Sequence, residues 1–235
     1  MLNFIILQAS QNLTEGAQAV GKAVHHGGVE TGFIDMAIKG GPIMIPIIFL
    51  SFLAVFIFID RYIAIRKAGK VDPRMMDRIK EYILEGKVES ANAVCRNDDT
   101  PTSRMIQKGI SRIGRPMADV TTAIENVGNQ EVSKLEKGLP VLASVAGGAP
   151  MLGFLGTVTG MIEAFYDMAN AGNNINITLL SSGIYQAMVT TVAGLIVGIA
   201  AYFAYNILVA NVETVVFKME AATIDFMDML NEPAK

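Results

Sequence analysis

Charged and apolar positions are not interleaved along this chain but sorted into blocks. No Asp, Glu, Lys or Arg lies between Lys39 and Asp60, between Lys137 and Glu163, or between Asp167 and Glu213. Each block is at least as long as the ~20 residues a helix needs to cross a hydrocarbon core ~30 Å thick. Buried helices of a soluble bundle rarely run so long without a charge on a solvated face, so the blocks predict three membrane-spanning helices. The expected organisation is an outer N-terminal segment with an amphipathic helix (1–41), a first span (42–60), a polar helical region (61–137), a second span (138–165), a loop (166–178), a third span (179–209) and a C-terminal helix (210–235).

Basic residues orient these spans. Arg61, Arg66, Lys67, Lys70, Arg74, Arg78 and Lys80 follow the first span, whereas only Lys22 and Lys39 precede it. The excess of positive charge marks the cytoplasmic side, which places the N-terminus outside and the C-terminus inside. The loop AFYDMANAGNNINIT has an Asp but no Lys or Arg, as an outer loop should. At the N-terminus, the run Leu2–Leu7 is short for a secretory signal and no basic residue precedes it, so it reads as a surface segment of the mature chain.

The polar region carries two helical patterns. In MMDRIKEYILEG, Met76, Ile79, Tyr82 and Ile83 recur at helical spacing before Gly86, and a second pattern runs from Ala118 to Glu136. Between them, Asn97–Ser103 predicts a loop with a helix starting after Pro101. The region is too short for a substrate-processing domain with its own large core and reads as a stalk continuing the membrane helices. After Glu213, the residues Val216, Met219, Ile224 and Met227 form a loose apolar stripe on a short C-terminal helix.

Composition narrows the chemistry. The net charge of −3 and dispersed basic residues leave no nucleic-acid footprint. Cys95 is the only cysteine, His25 and His26 are adjacent, and no metalloprotease, phosphate-loop or dinucleotide motif is present. With no nucleophile–base pair either, no enzyme, cofactor or metal is expected.

The second and third spans carry the informative residues. Gly153, Gly156 and Gly160, next to Pro150, recur at steps of three and four, and Gly194 and Gly198 form a GxxxG pair. Small residues at this spacing let helices associate in lipid, where no hydrophobic effect drives them together. Hydroxyls are frequent too: Thr157, Thr159, Ser181, Ser182, Thr190 and Thr191, with Gln186 at helical spacing from Ser182 and Thr190. A threonine can satisfy itself on its own helix, but a glutamine amide needs a helix partner or a wet cavity, so a polar lumen or a partner-binding face is expected. No Asp, Glu or His lies in the cores of these spans; Glu163 and Asp167 sit at the outer end of the second, at a pore mouth or facing water. If protons move through such an assembly, a carboxylate has to come from another polypeptide.

The strings Ala149-Pro-Met-Leu-Gly-Phe-Leu-Gly-Thr157-Val-Thr-Gly-Met161 and Gly183-Ile-Tyr-Gln-Ala-Met-Val-Thr-Thr191-Val-Ala-Gly194-Leu, with Tyr205-Asn206, resemble the two core helices of the MotA/TolQ/ExbB proton-channel family. The resemblance is closest to the ExbB and TolQ branch and leaves only about Met1 to Lys39 uncovered. It implies an all-α integral membrane protein of the bacterial inner membrane, with three transmembrane helices and long cytoplasmic helical extensions, assembled as a pentameric ring. The ring would enclose an ExbD- or TolR-like single-span protein that carries the membrane aspartate. The assembly would drive a TonB- or TolA-like protein. Thr157 and Thr191 match the lumen-facing threonines of the family, with Ser182, Gln186 and Thr190 as further pore-lining candidates. Gln186 stands where the family often has a glutamate; an amide cannot ionise and retains only hydrogen bonding. A hydroxyl facing the partner's aspartate would favour its charged form.

Overall fold

The computed structural model describes residues 40–70, 72–170 and 177–231. The helix expected within 1–41, the centre of the 166–178 loop and the last residues of the chain lie outside this range. Among the described residues, regular structure is entirely helical: α1 (Met44–Ala68), α2 (Met75–Leu84), α3 (Val88–Asp98), α4 (Pro101–Ile110), α5 (Met117–Glu136), α6 (Leu139–Asn170) and α7 (Ile177–Asn231). Three helical stretches are long and apolar enough to cross a membrane, Met44–Ala68, Met117–Asn170 and Leu180–Asn231. The chain folds as two compact units, one built around Gly156–Thr190 and the other from Ile45–Leu155 with Thr191 onwards.

The second unit holds a bundle made by α2 to α5 and the C-terminal half of α7. Its centre is aliphatic: Ile79, Ile106, Ile110, Ile124 and Phe226 are almost wholly buried, and each contributes about 1.5–3 kcal/mol. Local signals place the helices. Gly86, at φ +73°, ends α2, and Asp99, at φ 43°, ends α3. At the start of α4, Thr100 Oγ1 accepts from the Ser103 amide (3.2 Å) while Ser103 Oγ accepts from the Thr100 amide (2.8 Å), with Pro101 as the first helical residue. The loop expected over Asn97–Ser103 therefore shrinks to Asp99 and Thr100. Helix α3 carried little apolar signal because it buries only Ala91 and Cys95. That burial pushes the Cys95 thiol up to about 11, leaving it an inert core residue.

One ion-pair network pins α4 to α5. Arg104 donates to Glu131 Oε2 (2.6 Å) and to Asp99 Oδ1 (2.6 Å), and Lys134 donates to Glu131 Oε1 (2.6 Å). Burial pushes the Glu131 carboxyl up, but hydrogen bonds and charge from Arg104 and Lys134 outweigh it and hold the group below the usual glutamate range.

Helix α5 ends where Gly138 adopts φ +92°, and α6 begins at Leu139. Arg61 of α1 reaches across to cap this end, donating to the Lys134 carbonyl at 3.2 Å. Helix α7 departs from the sequence-based expectation of a third span followed by a separate short helix. It is one uninterrupted helix of 55 residues, about 80 Å long, so the stalk is the continuation of the membrane helix itself. Its buried stripe in the bundle is Val212, Val215, Met219, Phe226 and Met229; Ile224, expected in that stripe, is exposed.

Candidate functional site

Helix α6 is built inside out relative to a soluble helix. In the unit from Ile45 onward its large side chains Met151 and Phe154 are exposed, 73% and 68%, while Ala149 and Gly153 are buried. Small residues face α7 because only they permit the backbones to touch. A Cβ at Gly194 would lie 2.5 Å from the Ala149 carbonyl oxygen and 3.0 Å from Gly153 Cα. A Cβ at Gly198 would lie 2.6 Å from Pro150 Cδ and 3.0 Å from the Ala146 carbonyl oxygen. That carbonyl has lost its normal helical donor, since residue 150 is a proline without an N–H. The side-chain-free face of Gly198 lies over it, where a Cβ would intrude. One turn along, the Thr191 hydroxyl donates to the Gly153 carbonyl at 3.0 Å. The expected packing set of Pro150, Gly153, Gly194 and Gly198 thus falls along one seam.

The unit holding Gly156–Thr190 continues the same grammar. A Cβ at Gly156 would meet Thr190 Cβ at 2.6 Å, and one at Gly160 would meet the Gly183 carbonyl oxygen at 3.1 Å and Ala187 Cβ at 3.2 Å. Thr190 is buried, fills the hole that Gly156 leaves, and donates its hydroxyl to the Ala187 carbonyl at 2.8 Å. Expected as a pore-lining residue, it is instead committed to packing within the chain, because its side chain points at α6. Ser182, one helical face-step away, is exposed, and Gln186 between them is half-buried with its amide over Gly41, whose φ of +69° is strained for any residue with a side chain. The three residues expected on one polar face therefore differ in surroundings from turn to turn.

Thr157 and Thr191 are both half-buried. Thr159 donates to the Gly156 carbonyl at 3.2 Å. Gly183 was not singled out by sequence, yet a Cβ there would lie 2.6 Å from Ala164 Cβ and 2.9 Å from the Gly160 carbonyl oxygen. The signal was present: Gly183, Ala187, Thr190, Gly194, Gly198 and Ala201 recur at steps of three and four along α7. Glu163 and Asp167 are exposed on the last turns of α6.

Comparison with known proteins identifies the family. The family model described as the MotA/TolQ/ExbB proton channel family matches residues 97–221, which run from the end of α3 into the C-terminal half of α7. The "Biopolymer transport protein ExbB" of Neisseria meningitidis serogroup A is 26% identical over 214 residues, covering 83% of this chain and 95% of its own length. The "Putative biopolymer transport protein ExbB-like 1" of Synechocystis sp. is 28% identical over 188 residues, covering 75% and 70%. The "Tol-Pal system protein TolQ" of Pseudomonas aeruginosa is 24% identical over 200 residues, covering 80% and 86%. With three helices long and apolar enough to span a bilayer and a family match over more than half its length, the chain is a multi-pass membrane protein of the MotA/TolQ/ExbB proton channel family.

Proposed function

We propose that this chain is the ring-forming stator subunit of an ExbB-like proton channel in a bacterial inner membrane, with its N-terminus periplasmic and its C-terminus cytoplasmic. Together with an ExbD-like single-span partner it couples the proton motive force to a TonB-like protein and hence to outer-membrane transport. The observation that carries this reading is the division of chemistry in α6 and α7: hydroxyls and bare backbone, with no Asp, Glu, His, Lys or Arg between Lys137 and Glu163 or between Asp167 and Glu213. The proton carrier is then the partner's membrane aspartate, and this chain supplies the wall against which it moves. The chain's role is to conduct and transmit force, not to catalyse a covalent reaction.

The hydrogen bond of Thr191 sets what that wall offers. Its single hydrogen is given to Gly153, so the oxygen presents only lone pairs to anything else. Lone pairs welcome a protonated carboxylic acid and repel a carboxylate, the reverse of the charged-form stabilisation expected from sequence. Thr191 is thus a station for the neutral acid, and Gln186 is a position able both to donate and to accept. A membrane potential supplies about 2.3 kcal/mol per charge per 100 mV, so each such contact must be weak enough to break at every step.

The test is Thr157→Val and Thr191→Val in cells that depend on energised uptake. Both variants are expected to assemble with the partner and to lose uptake; full uptake in both sinks the hydroxyl-lined path. A TolQ-like role in envelope integrity is the second reading, favoured by the extended similarity to TolQ. Identification of the co-purifying partner, ExbD-like or TolR-like, separates the two.

A further inference from the structure

Helices α1 and α7 run in the same direction side by side within one unit, and two consecutive grooves lie along their seam. The first is an apolar groove of about 320 Å³ whose lining includes Ala54 and Phe58 of α1 and Ala200, Ala204 and Ile207 of α7. The second, further along both helices, is a pocket of about 410 Å³ lined in part by Tyr62, Arg66, Lys70, Asn211, Thr214 and Lys218. No Asp or Glu lines it, and of its three cations only Lys70 also borders the neighbouring pocket that holds Asp98, Asp99 and Glu131. Among the described residues, neither Arg66 nor Lys70 forms an ion pair. Lys218 is held in place by donating to the Gly69 carbonyl at 3.0 Å, which leaves the rest of its ammonium for another acceptor.

The position of the pocket matters as much as its charge. The charge-free blocks of the two helices end at Asp60 and Glu213, so the apolar groove lies at hydrocarbon depth and the cationic pocket one to three turns beyond it. Tyr62, stacked on Phe58 with ring centroids 5.8 Å apart, stands at the junction. An apolar slot leading into an anion-seeking pocket at headgroup depth is the shape and charge of one molecule class. We infer that this seam holds an anionic glycerophospholipid, with its phosphate among Arg66, Lys70 and Lys218 and one acyl chain along Ala54, Ala200 and Ala204.

The experiment is native mass spectrometry of the purified full-length protein in detergent, titrated with palmitoyl-oleoyl phosphatidylglycerol, the matching phosphatidylcholine, and glycerol 3-phosphate. Wild type is expected to retain phosphatidylglycerol at least about tenfold more tightly than phosphatidylcholine, and glycerol 3-phosphate only weakly. Combined Arg66→Gln, Lys70→Gln and Lys218→Gln should weaken phosphatidylglycerol about 100-fold, the sum for three cations near an anionic headgroup. The charge-matched Lys108→Gln, Arg112→Gln and Arg115→Gln protein should not. Ala200→Phe, which fills the exposed side of the apolar groove and leaves every charge in place, should also expel the lipid. Equal retention of the two lipids, retention by the triple Gln variant, or glycerol 3-phosphate binding as tightly as the lipid would each overturn the assignment. So would a cross-link showing a second copy of the chain seated in the seam.

Discussion

The bundle and the α6–α7 seam are held together by opposite means. In the bundle, Ile79, Ile106, Ile124 and Phe226 are buried and helices stand apart by the width of large side chains, because water outside makes apolar area worth hiding. Along the seam the large residues Met151, Phe154 and Leu195 face outward while Gly153, Gly194 and Gly198 are buried, because lipid tails are as apolar as leucine and only close contact is gained by association. One helix, α7, obeys both rules in succession. The same 55 residues carry a small-residue stripe in one half and a Val–Met–Phe stripe in the other.

That contrast can be broken from either side, and the water-facing side should show the largest effect. Phe226→Ala is expected to cost the bundle about 3–5 kcal/mol. Hydrogen exchange should then accelerate in α2 to α5 and leave α6 protected; unchanged exchange in the bundle would show that it is not the aliphatic core that holds it. Gly194→Leu should cost about 1–3 kcal/mol, since the atoms it meets are the backbone of Ala149 and Gly153 and cannot rotate away. Its signature is reduced recovery of the assembled complex with a bundle of normal exchange. Glu131→Gln leaves Arg104 and Lys134 without their shared carboxylate and should cost about 1–2 kcal/mol, discounted for the partial exposure of Arg104. Because the Glu131 carboxyl is held below its usual range, its contribution is full above the ordinary glutamate value of about 4.3 and is lost as pH falls through the lower folded value. The acid-unfolding profile of the Gln variant should therefore be flatter than that of wild type. At the small end, Gly147→Ala meets no atom within 4 Å and should change stability by less than about 0.5 kcal/mol.

How much of this was legible in the sequence follows from the same contrast. Charge-free blocks announced the spans because a charge in lipid is costly, and the glycine spacing announced the seam. Helix α3 stayed hidden because a helix that buries only Ala91 and Cys95 leaves almost no apolar period. The continuity of α7 was hidden as well: Glu213 ends the charge-free block, but leaving the membrane is not the same event as leaving the helix. The orientation of Thr190 was illegible because a threonine that bonds its own helix has the same sequence signature whether it faces a lumen or a neighbour. The reach of Thr191 to the Gly153 carbonyl, 38 residues away in sequence, had no local signal at all.

In the proposed assembly this chain is a wall with no carboxylic acid in its span cores. Proton flux into liposomes under an imposed potential tests it, comparing the chain alone, the chain with the proposed ExbD-like partner, and the chain with that partner's membrane aspartate changed to asparagine. The account predicts flux only with the intact partner. Flux through the chain alone, or through the asparagine complex at the same rate, would contradict it.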